Sequence, residues 1–179
     1  MPNKALFLDR DGTIIIDTDY PNDPKMVAFV PGTIEALREI QREYKLIVVS
    51  NQSGVGRGLI TQEQFEAVHK QFVKMLESVN IEMTGIYYCL HAPEEKCDCR
   101  KPSPKMILDA AEKHHIELSS SYMIGDKMSD VIAGKRAGCN TILITPENHT
   151  IGTDSEKKYV GLTASDLHQA VNQIINLKG

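Results

Sequence analysis

The feature that most constrains this chain is a repeated couplet: a short apolar run stops on a polar residue, and a stretch with helical spacing follows. Ala5–Leu8 stops at Asp9, Leu46–Val49 at Ser50, Ile86–Tyr88 at Cys89, and Tyr122–Ile124 at Gly125-Asp126. Thr141–Ile144 is a fifth run of this kind. Short apolar runs without polar alternation are buried on both faces, as parallel strands between helix layers are. Between the runs, Ile34, Leu37 and Ile40 share one face after Pro31-Gly32. Phe65, Val68, Phe72, Met75, Leu76 and Val79 recur at spacings of three and four, behind a capping-box pair, Thr61 and Gln64. Ser103-Pro104 supplies an N-cap and first-turn proline for a helix to about His115, and another helix ends near Gly138. Thr145–Lys157 reads as loop and Ala164–Leu177 as a closing helix. The pattern predicts an α/β fold, a doubly wound Rossmann-like parallel sheet with helices on both faces. Such sheets bind ligands at the carboxyl ends of their strands, where Asp9, Ser50, Cys89 and Asp126 all fall.

The length of 179 residues fits one domain spanning 1–179, with residues 89–99 inserted as a small metal-binding loop. With 41% hydrophobic residues the chain has enough apolar side chains for a core, and no repeat or low-complexity tract interrupts it. No apolar run reaches the 18 residues of a membrane span, and Ala5–Leu8 is too short for the core of a secretory signal, so a cytoplasmic protein is expected. A net charge of −4 and the lack of a basic run count against a nucleic-acid partner. A monomer acting on a small molecule, without nucleic acid or membrane, is the expectation.

Asp9-Arg10-Asp11-Gly12-Thr13 places two carboxylates just past a buried strand, with a glycine to turn the backbone. A carboxylate that attacks phosphorus needs a cation to neutralise the phosphate and a nearby acid to protonate the leaving oxygen. Asp9 suits the first task and Asp11 the second, and Asp126 can offer oxygen to the same hard cation. These residues are joined, in order, by Ser50-Asn51-Gln52-Ser53-Gly54, by Lys101-Pro102, and by Gly125-Asp126-Lys127 with Asp130. The four motifs, spread over residues 4 to about 145, resemble the haloacid dehalogenase (HAD) superfamily of phosphatases. That resemblance implies an aspartyl-phosphate intermediate on Asp9, with Asp11 as acid and then base. It implies that Ser50 hydrogen-bonds the phosphoryl group and that Lys101 neutralises it. Mg²⁺ would be held by Asp9, the Asp11 backbone carbonyl and Asp126. Lys127 and Asp130 stand between a site role and a structural ion pair.

Cys89, His91, Cys97 and Cys99 form C-x-H-x₅-C-x-C within eleven residues. Three thiolates and an imidazole suit tetrahedral Zn²⁺, and four protein ligands make a closed, structural site. Cys139 lies apart and reads as a small buried hydrophobe. The loop runs straight into Arg100-Lys101, so a metal there can position cations without touching the chemistry. The loop resembles two branches of the superfamily, the heptose-1,7-bisphosphate 7-phosphatases and the histidinol-phosphate phosphatases. Cys89-Leu90-His91 departs from their usual Cys-Pro-His, which keeps the ligands and loosens the loop; Ser50 stands where threonine is frequent.

The intervals Ile14–Val30 and Leu90–Lys101 are too short for a large cap domain, so specificity is expected from the loops. Asp17, Asp19 and Tyr20 offer hydrogen bonds to hydroxyls. Asn51, Gln52, Ser53, Arg57, Arg100 and Lys127 offer further polar or cationic contacts. These groups suit a polyhydroxylated bisphosphate better than an imidazole, so removal of the C7 phosphate of a heptose bisphosphate is the first reading and histidinol phosphate the second. A DNA 3′-phosphatase and a phospho-accepting signalling domain fit less well. The first lacks a basic tract, and the second has no use for Asp11.

Overall fold

The computed structural model describes residues 3–145 and 152–177. Six parallel strands form one sheet: β1 (Ala5–Leu8), β2 (Lys45–Asn51), β3 (Gly85–Cys89), β4 (Tyr122–Gly125), β5 (Asn140–Ile144) and β6 (Leu162–Ala164), in the order β3-β2-β1-β4-β5-β6. The chain winds outward from β1 to β3, then crosses back to β4 and winds outward the other way. A reversal of this kind leaves a crevice at the carboxyl edge beside the central strand. Asp9 ends β1 there, next to β2 and β4.

Strand side chains alternate between two cores. Leu6, Leu8, Leu46, Val48, Ile124 and Ile142 pack under α1 (Thr33–Ile40), α2 (Gln62–Ser78) and α6 (Leu167–Asn176). Ala5, Phe7, Ile47, Val49 and Met123 face α3 (Lys105–His114) and α4 (Met128–Ala137). The expected α/β sheet, covered on both faces, is therefore present. The capping box of α2 forms as its spacing implies: Thr61 Oγ1 accepts from Gln64 N at 3.2 Å, and Gln64 Oε1 accepts from Thr61 N at 2.8 Å.

The carboxyl-terminal third departs from expectation. Ala164 belongs to β6, not to the closing helix, which starts at Leu167 behind Asp166 as N-cap. Three residues with Leu162 and Thr163 exposed carry no apolar run to notice; pairing with β5 makes them a strand. Within the expected loop, α5 (Asp154–Lys157) forms a single turn, and residues 146–151 of that loop lie outside the described residues.

Two loops position the site. Between β1 and α1, Ile16 N donates to Ala28 O (2.9 Å) and Val30 N to Ile14 O (3.0 Å), which closes residues 14–30 into a narrow excursion anchored by buried Ile14 and Ile15. After β2, Gly56 N donates to Leu90 O at 3.0 Å, and a Cβ at Gly56 would come within 2.5 Å of Ala92 N. Glycine is needed there because the two loops touch backbone to backbone.

Candidate active site

Asp9 is 5% exposed at the end of β1. Its Oδ1 accepts from Arg10 N at 2.8 Å and lies 3.1 Å from Lys101 Nζ. Burial alone would raise this carboxyl, but the Lys101 charge, a hydrogen bond from Ser50 and the Arg10 N–H hold it below the usual carboxylate range. The Asp9 side chain is thus a buried carboxylate whose charge is balanced by its neighbours.

Lys101 is itself buried, and its ammonium reaches three acceptors: Asp9, Asp130 Oδ1 at 2.7 Å and Val49 O at 2.7 Å. Its backbone is held by Asn51, whose Nδ2 donates to Lys101 O and whose Oδ1 accepts from Lys101 N, both at 3.0 Å. The amide of Asn51 is thus committed to the loop after the cysteines. Asp130 pairs with Lys101, whereas Lys127 Nζ reaches Asp17 at 3.1 Å; the two do not pair with each other through their side chains. Asp130 Oδ2 instead accepts from Lys127 N at 2.9 Å and caps the start of α4.

Asp9, Asp126 and Asp130 each place an oxygen within 4.8 Å of the others. Asp126 Oδ1 is buried with no hydrogen-bond partner. Burial pushes the Asp126 carboxyl up to about 7; Lys127 opposes this, and the charges of Asp9 and Asp130 add to it. Clustered oxygens short of positive charge are a fitting cradle for a hard cation. Gly12, at φ 76°, passes beneath: a Cβ there would come within 2.3 Å of Asp126 Oδ2.

Asp11 is 7% exposed and stands on the same cleft floor as Asp9. Arg10 grips it with Nε at 2.9 Å from Oδ2 and Nη2 at 3.1 Å from Oδ1. Gln52 Nε2 donates to Asp11 Oδ2 at 2.6 Å and lies 3.0 Å from Ser50 Oγ, while Gln52 Oε1 accepts from Arg10 Nη2 at 2.7 Å. Arg10 is the residue that sequence reading missed. It has the strand parity of buried Leu6 and Leu8, and that parity was the available signal for its burial.

A cleft of about 270 Å³ opens over this floor. Asp17, Asp19 and Tyr20 come to it from the first loop, Ser53 and Arg57 from the second, and Arg100 and Lys127 from beyond the cysteines and β4. Asn51 and Gln52 also line it, together with Ser129 and Ile60, which no motif marked. Arg100 Nη1 is buried without a hydrogen-bond partner.

At the end of β3 the four expected ligands converge. The Cys89–Cys99, Cys89–Cys97 and Cys97–Cys99 sulfurs are 3.0, 3.5 and 3.6 Å apart, and His91 Nδ1 lies 3.3 Å from Cys99 Sγ and 3.6 Å from Cys89 Sγ. A tetrahedral Zn²⁺ with Zn–S near 2.3 Å needs sulfurs about 3.8 Å apart, so a small expansion suffices. Cys139 is buried elsewhere, its thiol pushed up to about 12 by burial.

Comparison with known proteins gives the family. A family model described as HAD-hydrolase-like matches residues 98–170. The chain is 45% identical to the D-glycero-β-D-manno-heptose-1,7-bisphosphate 7-phosphatase of Helicobacter pylori strain J99 over 148 residues, 82% of this chain and 85% of that one. The chain belongs to the HAD-like phosphatases. With the Escherichia coli K12 member named as the same 7-phosphatase, identity is 37% over 94% of each chain. A crystal structure of D,D-heptose 1,7-bisphosphate phosphatase from B. bronchiseptica, complexed with magnesium and phosphate, matches this HAD-like fold with a TM-score of 0.83 at 28% identity, covering 97% of this chain and 99% of that one. As a HAD-like phosphatase the protein is a phosphomonoester hydrolase.

Proposed function

We propose that this phosphatase hydrolyses the C7 phosphate of D-glycero-β-D-manno-heptose 1,7-bisphosphate, within the biosynthesis of nucleotide-activated heptose. The observation that carries the substrate reading is a second set of cations. Lys101 is committed to Asp9 and the transferred phosphate, yet Arg57 and Arg100 also reach the cleft, neither is ion-paired among the described residues, and Arg100 Nη1 is buried and unpartnered. A second phosphate satisfies them, and Asp17, Asp19, Tyr20 and Ser53 meet sugar hydroxyls. The names of the relatives support the same substrate over histidinol phosphate.

In the reaction, an Asp9 oxygen forms a bond to phosphorus as the bond from phosphorus to O7 breaks, and the Asp11 carboxyl gives its proton to O7. Water then attacks the aspartyl phosphate, Asp11 takes a proton from it, and Asp9 is released with inorganic phosphate. Ser50 and Lys101 hold the phosphoryl oxygens. Mg²⁺, held by Asp9, the Asp11 backbone carbonyl and Asp126, would supply the remaining positive charge. Zn²⁺ on Cys89, His91, Cys97 and Cys99 is structural, and the chain acts as one cytoplasmic, monomeric domain.

The test is phosphate release from the heptose bisphosphate and from histidinol phosphate, with ³¹P NMR to identify the phosphate that remains. A higher kcat/KM for the bisphosphate, leaving the C1 phosphate in place, is expected. Preference for histidinol phosphate, or loss of the C1 phosphate first, refutes the reading.

A further inference from the structure

We propose that Arg10 and Gln52 are positioning residues that hold the Asp11 carboxyl for proton transfer, so that Asp11 works as part of a three-residue unit. The proposal rests on the assignment of Asp11 as acid and base. Arg10 is the largest side chain in the molecule to be fully buried. Burying a guanidinium is costly, and a leucine or methionine fills such a volume at less expense, so its retention needs a reason beyond packing. Its fork takes both Asp11 oxygens, at 2.9 and 3.1 Å, and so fixes the plane of the carboxyl.

Gln52 closes the ring, accepting from Arg10 at 2.7 Å and donating to Asp11 at 2.6 Å. The same Nε2 lies 3.0 Å from Ser50 Oγ, which ties the ring to the phosphoryl side of the site. Below, the Arg10 guanidinium carbon sits 5.6 Å from the centroid of the Tyr88 ring, whose hydroxyl is 3.2 Å from His69 Nδ1. Tying β1 to β2 does not explain the ring, because the backbone ladder already joins Leu8 to Val48. What the ring adds is the orientation of one carboxyl, and a misplacement of about 1 Å in a reacting group can cost ~10²-fold in rate.

The experiment compares leaving groups in the first half-reaction. A sugar alcohol must be protonated as it departs, whereas nitrophenolate leaves without a proton, so a proton-delivery defect slows the first substrate selectively. In rapid-quench experiments on the holoenzyme, Gln52→Met and Arg10→Met are expected to slow aspartyl-phosphate formation from the sugar phosphate by at least ~10-fold. In each variant the nitrophenolate burst should be slowed at least ~3-fold less than the sugar-phosphate step, and Arg10→Met added to Asp11→Asn should cost no more than ~3-fold further. Arg10→Lys keeps the buried charge without the fork and should show the same selectivity. It answers the question with Gln52→Met if Arg10→Met does not fold. Equal slowing with both substrates, or full additivity with Asp11→Asn, overturns the proposal while Asp11→Asn itself stays selective. Loss of selectivity in Asp11→Asn alone overturns the role of Asp11 instead.

Discussion

Asp9 is held below the usual carboxylate range against burial by Lys101, Ser50 and the Arg10 N–H, contacts that an amide keeps only in part. Asp9→Asn should abolish turnover and leave the circular-dichroism spectrum and melting temperature near wild type; measurable turnover with deamidation excluded contradicts the nucleophile assignment. Asp11→Asn should slow steady-state turnover by at least ~10²-fold, the scale of general acid–base catalysis. A different residue adds a pH dependence to stability. His69 is lowered from an ordinary value of 6.5, first by burial and then by the Arg10 charge. Below that value the unfolded chain binds a proton that the folded chain resists, so stability is lost as pH falls through and below about 6.5. Asp126, pushed up to about 7, and buried Asp130, pushed up to about 6, act in the opposite sense over this range, so the His69 contribution is read as a difference: in denaturant titrations His69→Phe should lose less stability than wild type as pH falls. Asp9, Asp11 and Asp126 stood out in the sequence as candidates because each lies at or just past the end of a buried run, whereas Lys101 and the role of Ser50 came from the resemblance of their motifs to the superfamily. Arg10 did not stand out, although it lies between Asp9 and Asp11, because its partner Gln52 is 42 positions away and no local pattern announces the ring.

Loops rather than strands separate this chain from a generic α/β sheet, and two of them lean on each other. The contact of Gly56 with Leu90 and Ala92 joins the cysteine loop to the segment bearing Ser53 and Arg57. Gly56→Ala should therefore raise KM by roughly threefold to tenfold, with a smaller change in kcat, as expected for a displaced binding loop. Unchanged kinetics with the bisphosphate would show that the contact carries nothing to the cleft. Cys97→Ser and Cys99→Ser should reduce bound zinc below one per chain and lower the melting temperature by at least ~4 °C, because metal binding is folding energy for a loop without an apolar core. Metal analysis and calorimetry check this directly. Most elements were legible from period and caps: the box at Thr61–Gln64 and the runs of β1, β2 and β4 appear where the pattern places them. β6 escaped because an edge strand of three residues needs no internal hydrophobic signal; β5 supplies its partner.

At the scale of the whole fold, the two candidate metal centres among the described residues sit at one edge of the sheet yet differ in chemistry: carboxylate oxygens around Asp9, Asp126 and Asp130, thiolates and an imidazole around Cys89. Mild chelation should remove activity that returns on adding Mg²⁺, while zinc and the melting transition persist, since Mg²⁺ exchanges readily and a closed thiolate site does not. Simultaneous loss of zinc and activity under those conditions contradicts the separation. No helix among the described residues is long and apolar enough to cross a membrane. By itself the sequence determined the alternation of strands and helices, the carboxyl edge as the place of the candidate site, and the C-x-H-x₅-C-x-C cluster. These are local matters, set by side-chain period and by spacings of a few residues. Only the tertiary structure decided that Lys101 lies between Asp9 and Asp130, that Asn51 holds the Lys101 backbone, and that Arg10 and Gln52 enclose Asp11. Each joins segments far apart in the chain, and which buried charge meets which is settled by the packing of the fold, because a charge taken out of water has to find its partner wherever the fold brings one.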